Sequence, residues 1–172
     1  MKLNKFKIII ATIVIIILLF VVIACSIKLK EEKRLLTINF DTKETVLNIL
    51  NNEDVKLSID FSTLKEITVD EINNIFDIDS QIIEEFYGEI PTVSLSADEI
   101  IIVKVKDNSD IKNVEEKFKL RAKNIASNFK DYLEKEYVLA SNPLIYSKGN
   151  YVIFAISDNN NKIKEIFEEK FK

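Results

Sequence analysis

The order of apolar and polar positions divides the chain into one long apolar segment and a mixed remainder. Residues 8–27 are 20 consecutive positions without a charge, the length that an α-helix needs to cross about 30 Å of hydrocarbon. Beyond them, apolar residues recur at the short periods typical of a folded domain. We therefore predict a signal or anchor segment at 1–27, a juxtamembrane connector at 28–40 and a single domain at 41–172.

Two capping boxes predict short helices near the start of this domain. "DTKE" at 41–44 and "TVDE" at 68–71 each place an N-cap side chain three residues before a glutamate. The apolar residues that follow them continue at helical spacing. The second helix is expected to place Val69, Ile72 and Phe76 on one face.

Alternation and β-branched runs predict the strands of the first half. "VKLSIDF" at 55–61 alternates strictly, as expected for a half-buried strand. The segment 82–95 is compatible with a helical turn followed by a strand, or with one long strand that contains a bulge, and we favour a strand for its later half. Residues 100–105 are isoleucine and valine except for one lysine, which predicts a central strand buried on both faces.

The last third of the chain has the clearest pattern. A helix is predicted over 110–135, because seven apolar residues step by three or four positions along one stripe: Ile111, Val114, Phe118, Ala122, Ile125, Phe129 and Leu133. The segments "LIYS" and "YVIFAIS" then flank Lys148-Gly149-Asn150, a hairpin signal. A closing helix is expected from about Asn160, with Asp158 or an asparagine as its cap.

These elements predict an α+β fold. The C-terminal half follows the order β-β-α-β-β-α, with strands joined by tight turns. We expect a two-layer sandwich, in which an antiparallel sheet carries its helices on one face.

The apolar segment leaves two kinds of anchor open. A secretory apolar region usually spans about 7–15 residues, so the length of 8–27 favours a retained transmembrane helix. However, "VIAC" at 22–25 resembles the lipobox of bacterial lipoproteins, in which a small residue precedes a lipidated cysteine. Ala24 and Cys25 fit that pattern, and Cys25 is the candidate lipidation residue if the segment is cleaved.

The basic residues at the N-terminus predict the orientation of the domain. Lys2, Lys5 and Lys7 precede the apolar segment, and a basic flank stays on the cytoplasmic side. Both kinds of anchor therefore predict an extracytoplasmic domain. Four basic residues soon after the segment weaken this rule and leave a cytoplasmic domain as the alternative.

Charge and composition exclude several classes of function. After residue 27 the chain has 21 basic and 28 acidic residues, a formal charge of −7, which disfavours nucleic acid as a partner. With no histidine and one cysteine, neither a histidine-dependent catalytic triad nor a cysteine and histidine zinc site can form. Gly88 and Gly149 alone cannot build a glycine-rich phosphate loop. We expect no catalytic residue, no metal site and no cofactor.

Weaker candidate sites have simpler interpretations. Ser147 and Lys148 would point to opposite faces of a strand, which argues against a Ser-Lys dyad. The loop "DNNN" at 158–161 is more typical of a helix cap than of a calcium site. The mixed charges on the outer face of the long helix, among them Lys119 and Lys123, favour solubility over docking. Four tyrosines are expected to be half-buried residues of the sheet region: Tyr132, Tyr137, Tyr146 and Tyr151.

Three segments together carry a resemblance to a known family. "SADEIIIVKVKD", "FKDYLEKEY" and "KGNYVIFAISD" resemble the bacterial domain of unknown function 4358 family, small extracytoplasmic proteins that are often lipoproteins. The similarity runs from about residue 82 to the C-terminus. It implies membrane anchorage and an α+β fold, and no activity. Asp98 and Glu99 lie in its most recognisable element, although acids before a strand need no function.

The sequence therefore leads to a functional hypothesis without an active site. We expect a membrane-anchored, non-catalytic binding or assembly module for a protein, a peptide or a cell-envelope ligand. The alternative is an accessory subunit or scaffold of a membrane or envelope complex. A third and weaker alternative is a hydrolase of envelope glycans that uses paired carboxylates.

Overall fold

The computed structural model of the chain describes residues 2–56, 63–93 and 95–172. It divides the chain into two compact units, Met1–Thr37 and Ile38–Lys172.

The first unit is one helix, α1, over Lys2–Thr37. The part of α1 from Ile13 to Thr37 is long and apolar enough to span a membrane. None of the residues in its most apolar stretch is buried. The helix therefore includes residues 28–37, most of the segment 28–40 that we predicted to be a juxtamembrane connector. Cys25 is exposed on α1.

The second unit combines helices with one antiparallel sheet. Its helices are α2 Thr42–Leu50, α3 Glu53–Lys56, α4 Val69–Asn74, α5 Ile111–Phe129, α6 Glu134–Ser141 and α7 Asn160–Glu169. Its strands are β1 Leu64–Glu66, β2 Ile83–Pro91, β3 Glu99–Val105, β4 Leu144–Lys148 and β5 Tyr151–Ile156. The strand order is β1-β2-β3-β5-β4. The α+β class and the antiparallel sheet predicted from the sequence are confirmed.

Helices cover both faces of this sheet. On one face, Phe118 of α5 stacks on Phe154 of β5, with ring centroids 5.0 Å apart. On the other face, Phe40 stacks on Tyr151 at 3.9 Å, and Phe171 after α7 packs against both rings. The expectation that all helices lie on one face is wrong, because every residue of β3 is buried and a strand that is apolar on both sides needs two covering layers.

Both predicted capping boxes begin a helix. The Asp41 carboxylate accepts the Glu44 N–H at 2.7 Å. Thr68 and Glu71 bond reciprocally, side chain to backbone, at the start of α4. Val69, which we placed on the inner face of α4, is instead 52% exposed.

Several predicted boundaries change. The strand expected at 55–61 is wrong at its first two residues, which end α3, and its other residues lie outside the described ones. Strand β2 covers the first half of the ambiguous segment and ends at Pro91. Among the described residues of the later half, in which we favoured a strand, only 89–91 belong to it. The long helix ends at Phe129 rather than 135. Leu133 is the N-cap of α6 and still packs against the core. The apolar spacing that includes Leu133 therefore does not show that α5 ends before it.

The loop before α7 also differs from the expectation. Asn159 is the N-cap, but its side chain does not cap the helix. It donates instead to the Asp54 carbonyl oxygen at 2.6 Å. Asp158 pairs with Lys135 at 3.3 Å, so the predicted polar cap is replaced by contacts to distant segments.

The hairpin forms as predicted. Lys148 and Tyr151 are the last paired residues before the turn. Gly149 has φ of 58°, which suits the first central position of a type II′ turn.

Strands β2 and β3 approach each other closely at Gly88. A Cβ atom built on Gly88 would lie 2.5 Å from the Ile100 carbonyl oxygen and 2.6 Å from the Ile101 Cβ. Since backbone must move to relieve such contacts, Gly88→Ala should destabilise the domain by about 2 kcal/mol or more. Thermal and urea unfolding of the full chain in detergent measure this change.

The control is Gly149→Ala. It places an alanine in the left-handed region at φ of 58°, at a cost of about 1 kcal/mol. A smaller loss for Gly88→Ala than for Gly149→Ala would contradict the close strand approach.

Candidate functional site

A cleft lies where the connection between β2 and β3 meets α5. Its volume of about 500 Å³ is in the range of small-ligand sites. We call it the β3–α5 cleft. It is lined by Pro91, Thr92, Val93, Ser96, Glu99, Arg121, Ile125, Asn128, Phe129 and Tyr132.

A buried ion pair lies among the lining residues. Glu99 is the first residue of β3 and is 2% exposed. Its carboxylate accepts the Arg121 Nη2–H at 2.6 Å, and the Arg121 Nε–H lies 3.1 Å from both of its oxygens. The guanidinium carbon also lies 5.4 Å from the centre of the Phe76 ring. The three side-chain hydrogen bonds and the aromatic contact therefore hold the two charges in one geometry.

The pair determines the electrostatics of the cleft. Burial raises the pKa of Glu99, while the hydrogen bonds and charge of Arg121 oppose that rise. The positive charge of the Arg121 guanidinium is balanced by the carboxylate that it holds. The cleft therefore offers a fixed dipole and hydrogen-bonding groups, and little net charge.

Two large exposed side chains line the cleft. Val93 is 44% exposed and Tyr132 is 67% exposed, and both line the cleft. Leu95, two residues after Val93, is 60% exposed. Large apolar side chains concentrated in one place are a mark of an interaction site.

The segment that leads into β3 is held by polar contacts. Glu136 of α6 accepts the Ala97 N–H at 2.7 Å. Ser96 donates to the Asp98 carboxylate at 2.9 Å, and its oxygen accepts the Asp98 N–H at 3.1 Å. These bonds fix Ser96 at the edge of the cleft.

Asp98 is partly buried beside these bonds. Burial raises its pKa to about 6, and the Ser96 hydrogen bond opposes that rise. Because this folded-state pKa is above the ordinary value of 3.8, Asp98 favours the folded state below about pH 4 and loses that contribution as the pH rises to 6. Asp98 is thus neutral in mild acid and charged near pH 7.

The residues singled out from the sequence do not assemble into a catalytic site. Ser147 donates to Glu115 at 2.7 Å, whereas the Lys148 ammonium lies over the Phe171 ring at 5.2 Å, so they face opposite sides of the sheet. Cys25 lies in the separate N-terminal unit. Among the residues that the structure describes, no group of three or more metal-ligating side chains is arranged to hold an ion.

The four tyrosines do not form one cluster. Tyr151 is fully buried, and its hydroxyl donates to Asn39 and accepts from the Phe40 N–H. Tyr146 packs edge-on against Phe167. Tyr132 alone among the four is exposed, and it lies at the cleft rather than in the sheet.

Sequence reasoning missed the Glu99 and Arg121 pair. One signal was present: Glu99 has the same parity in β3 as Ile101 and Val103, so a strand buried on both faces places its side chain against α5. Its partner lies 22 residues away, and nothing local in the sequence indicates which cation reaches it.

Comparison with known proteins gives one match. The family model described as "Domain of unknown function (DUF4358)" matches residues 57–157. The match begins upstream of the similarity noted at residue 82 and contains every residue that lines the cleft. The searches of curated proteins and of solved structures found no match.

The ion pair predicts a characteristic pattern of stability. Arg121→Met leaves the Glu99 charge buried without a partner, which should cost about 3–5 kcal/mol. Replacing both residues, as Glu99→Leu with Arg121→Met, removes that charge and should recover most of the loss. Urea unfolding of the full-length variants in detergent measures both values.

Glu44→Leu with Lys170→Met is a matched control. It removes a pair separated by 4.0 Å in which Glu44 is exposed and Lys170 is half-buried. Neither Lys170→Met alone nor the double variant should lower the free energy of unfolding by more than about 1 kcal/mol. If the double variant in the cleft is no more stable than Arg121→Met, the explanation by an uncompensated buried charge is wrong.

Proposed function

The chain belongs to the domain of unknown function 4358 family, and from this premise we propose that it is a membrane-anchored binding or assembly module without catalytic activity. Its domain, Ile38–Lys172, is proposed to lie on the extracytoplasmic side. The ligand is proposed to be a segment of a partner protein that occupies the β3–α5 cleft.

The anchor rests on α1. Its apolar part is long enough to cross a bilayer and has no buried face, so lipid is the natural environment of this surface. The outward orientation is supported by the three lysines that precede the apolar segment. Cys25 is exposed and follows Ala24, which supports cleavage before Cys25 and lipid attachment there, in place of a retained α1.

One observation carries the binding role: two exposed side chains, Val93 and Tyr132, line a cleft whose charges neutralise each other. Val93 and Tyr132 supply apolar contact area. Ser96 and Asn128 supply hydrogen-bonding groups at the same opening. An extended peptide has both apolar side chains and backbone polar groups, so it fits this combination better than an ionic ligand.

A glycan fits the cleft less well. Sugar sites rely on stacking against exposed aromatic faces, and the aromatic residues that line this cleft are Phe129, which is 6% exposed, and Tyr132. Tyrosine at an interface supplies a large contact area with a polar tip. This arrangement favours a protein segment over a carbohydrate.

The anchor is tested by the intact mass of the protein extracted from membranes with detergent. We expect a chain that begins at Cys25 and carries a diacylglyceride, and a precursor that accumulates under an inhibitor of lipoprotein signal peptidase. A full-length, unmodified chain would contradict lipidation. It would favour the alternative function, an accessory subunit whose retained helix contacts a membrane complex.

The occupied cleft is tested by replacing Tyr132 with a photo-crosslinking phenylalanine analogue in living cells. We expect one discrete adduct with a partner protein. Val93→Asp places a charge at the opening and should abolish the adduct, because a carboxylate would have to lose its water there. Val138→Asp is the matched control, since Val138 is 51% exposed on α6 and does not line the cleft.

The outcome depends on the comparison of the two variants. An adduct lost in Val93→Asp and kept in Val138→Asp supports the cleft as the docking site. The absence of any adduct, or equal yields in both variants, would overturn it.

A further inference from the structure

A second groove lies between α5 and α6. Its volume is about 470 Å³, again within the range of small-ligand sites. We call it the lysine groove. It is lined by Lys119, Ala122, Lys123, Ala126, Ser127, Lys130, Tyr137, Ala140, Ser141 and Pro143.

All charged side chains that line this groove are lysines. Lys119 and Lys123 belong to α5, and Lys130 is its C-cap and keeps helical backbone angles. Their intervals of four and seven residues place them within about 40° on one side of the helix. They therefore form a row about 16 Å long.

These lysines also differ from others in the domain. Among the residues that the structure describes, none of the three lies within 4.0 Å of a carboxylate, whereas Lys117 pairs with Asp77 and Lys135 pairs with Asp158. The outer helix face carries charges of both signs, but these three lysines form no ion pair with them. This row of unpaired lysines makes the groove locally positive, although the domain as a whole has a negative net charge.

Hydroxyl groups and small side chains complete the groove. Tyr137 and Ser141, whose side chains carry hydroxyl groups, line it, whereas the Ser127 hydroxyl donates to the Lys123 carbonyl oxygen. Ala122 and Ala140 are 3% and 1% exposed, and their short side chains keep the groove open. The groove thus presents ammonium and hydroxyl donors without an acidic side chain among its lining residues.

We propose that the lysine groove binds a ligand that carries several phosphate groups. A phosphate group has up to two negative charges and three acceptor oxygens, so it can accept from an ammonium group and a hydroxyl group together. A flat carboxylate is matched best by the forked guanidinium of arginine, whereas lysine binds phosphate as a point charge. The spacing of the row suits a ligand with repeated phosphates rather than a single ion.

This inference goes beyond the proposed function and uses other residues. Arg121 lines the β3–α5 cleft and its neighbour Ala122 lines the lysine groove, so the two sites flank α5. A phosphate ligand could fail to bind the lysine groove while the cleft still binds a protein. Equally, the cleft could fail to bind a protein while the groove binds phosphate. The two failures are therefore distinguishable.

The test uses the full chain in nanodiscs of zwitterionic lipid, with inorganic tripolyphosphate as the probe and calorimetry as the readout. A triple variant, Lys119→Gln with Lys123→Gln and Lys130→Gln, should weaken binding at least tenfold, because charge-assisted hydrogen bonds are lost. The matched control replaces Lys164, Lys170 and Lys172 by glutamine. Their nearest carboxylates are 3.8–4.0 Å away, and the change in net charge is the same.

We expect the control to bind within twofold of the unchanged protein, with equal thermal stability for all three proteins. Equal weakening in both variants would assign the binding to net charge and overturn the site. No binding by the unchanged protein near physiological salt would overturn it as well. Equally tight binding of a glutamate oligomer of the same charge would overturn the phosphate class, because an acidic peptide would then be the better ligand.

A second experiment distinguishes two sources of phosphate, lipid headgroups and a soluble ligand. Nanodiscs that contain anionic phospholipid present phosphate headgroups to the groove. If headgroups fill it, the apparent affinity for tripolyphosphate should fall in these discs for the unchanged protein but not for the triple variant. An unchanged affinity supports a soluble phosphate ligand.

Discussion

The burial of β3 on both faces is the constraint on which the rest of the domain depends. All seven residues of this strand are buried, so water must be excluded from two sides of the sheet at once. The α5 layer covers one side, and α2 with α7 covers the other. Neither layer alone would remove the apolar surface of the strand from solvent. The three-layer arrangement is therefore a direct consequence of one nearly continuous apolar segment.

The same constraint accounts for the buried ion pair. Glu99 begins the strand on the side that α5 covers, and its carboxylate cannot remain hydrated there. Arg121 satisfies it from the helix with a bidentate contact. Such a pair contributes more to a unique arrangement than to net stability. It fixes the position of α5 over the end of β3, and this position forms the floor of the cleft.

Helix α5 separates two surfaces of different chemistry. On one side, the cleft has exposed apolar side chains and balanced charges. On the other side, the lysine groove has unpaired cations and hydroxyl groups. Both surfaces involve residues of one helix whose inner stripe is fixed in the core by Phe118 and its neighbours. Under the two proposals made above, partners of different chemistry would bind on opposite sides of α5 without competing for one site.

The sequence by itself determined the features that depend on neighbours along the chain. These are the apolar helix, the two capped helices, the doubly buried strand, the hairpin and the α+β class, since capping and periodicity are local properties. The tertiary structure alone decided which residues meet across the fold: Arg121 with Glu99, Glu136 with Ala97, and Asn159 with Asp54. It also decided that helices lie on both faces and that α6 breaks away from α5 to open a groove. The physical reason is that these contacts join segments tens of residues apart, and their partners are selected by packing rather than by any local pattern.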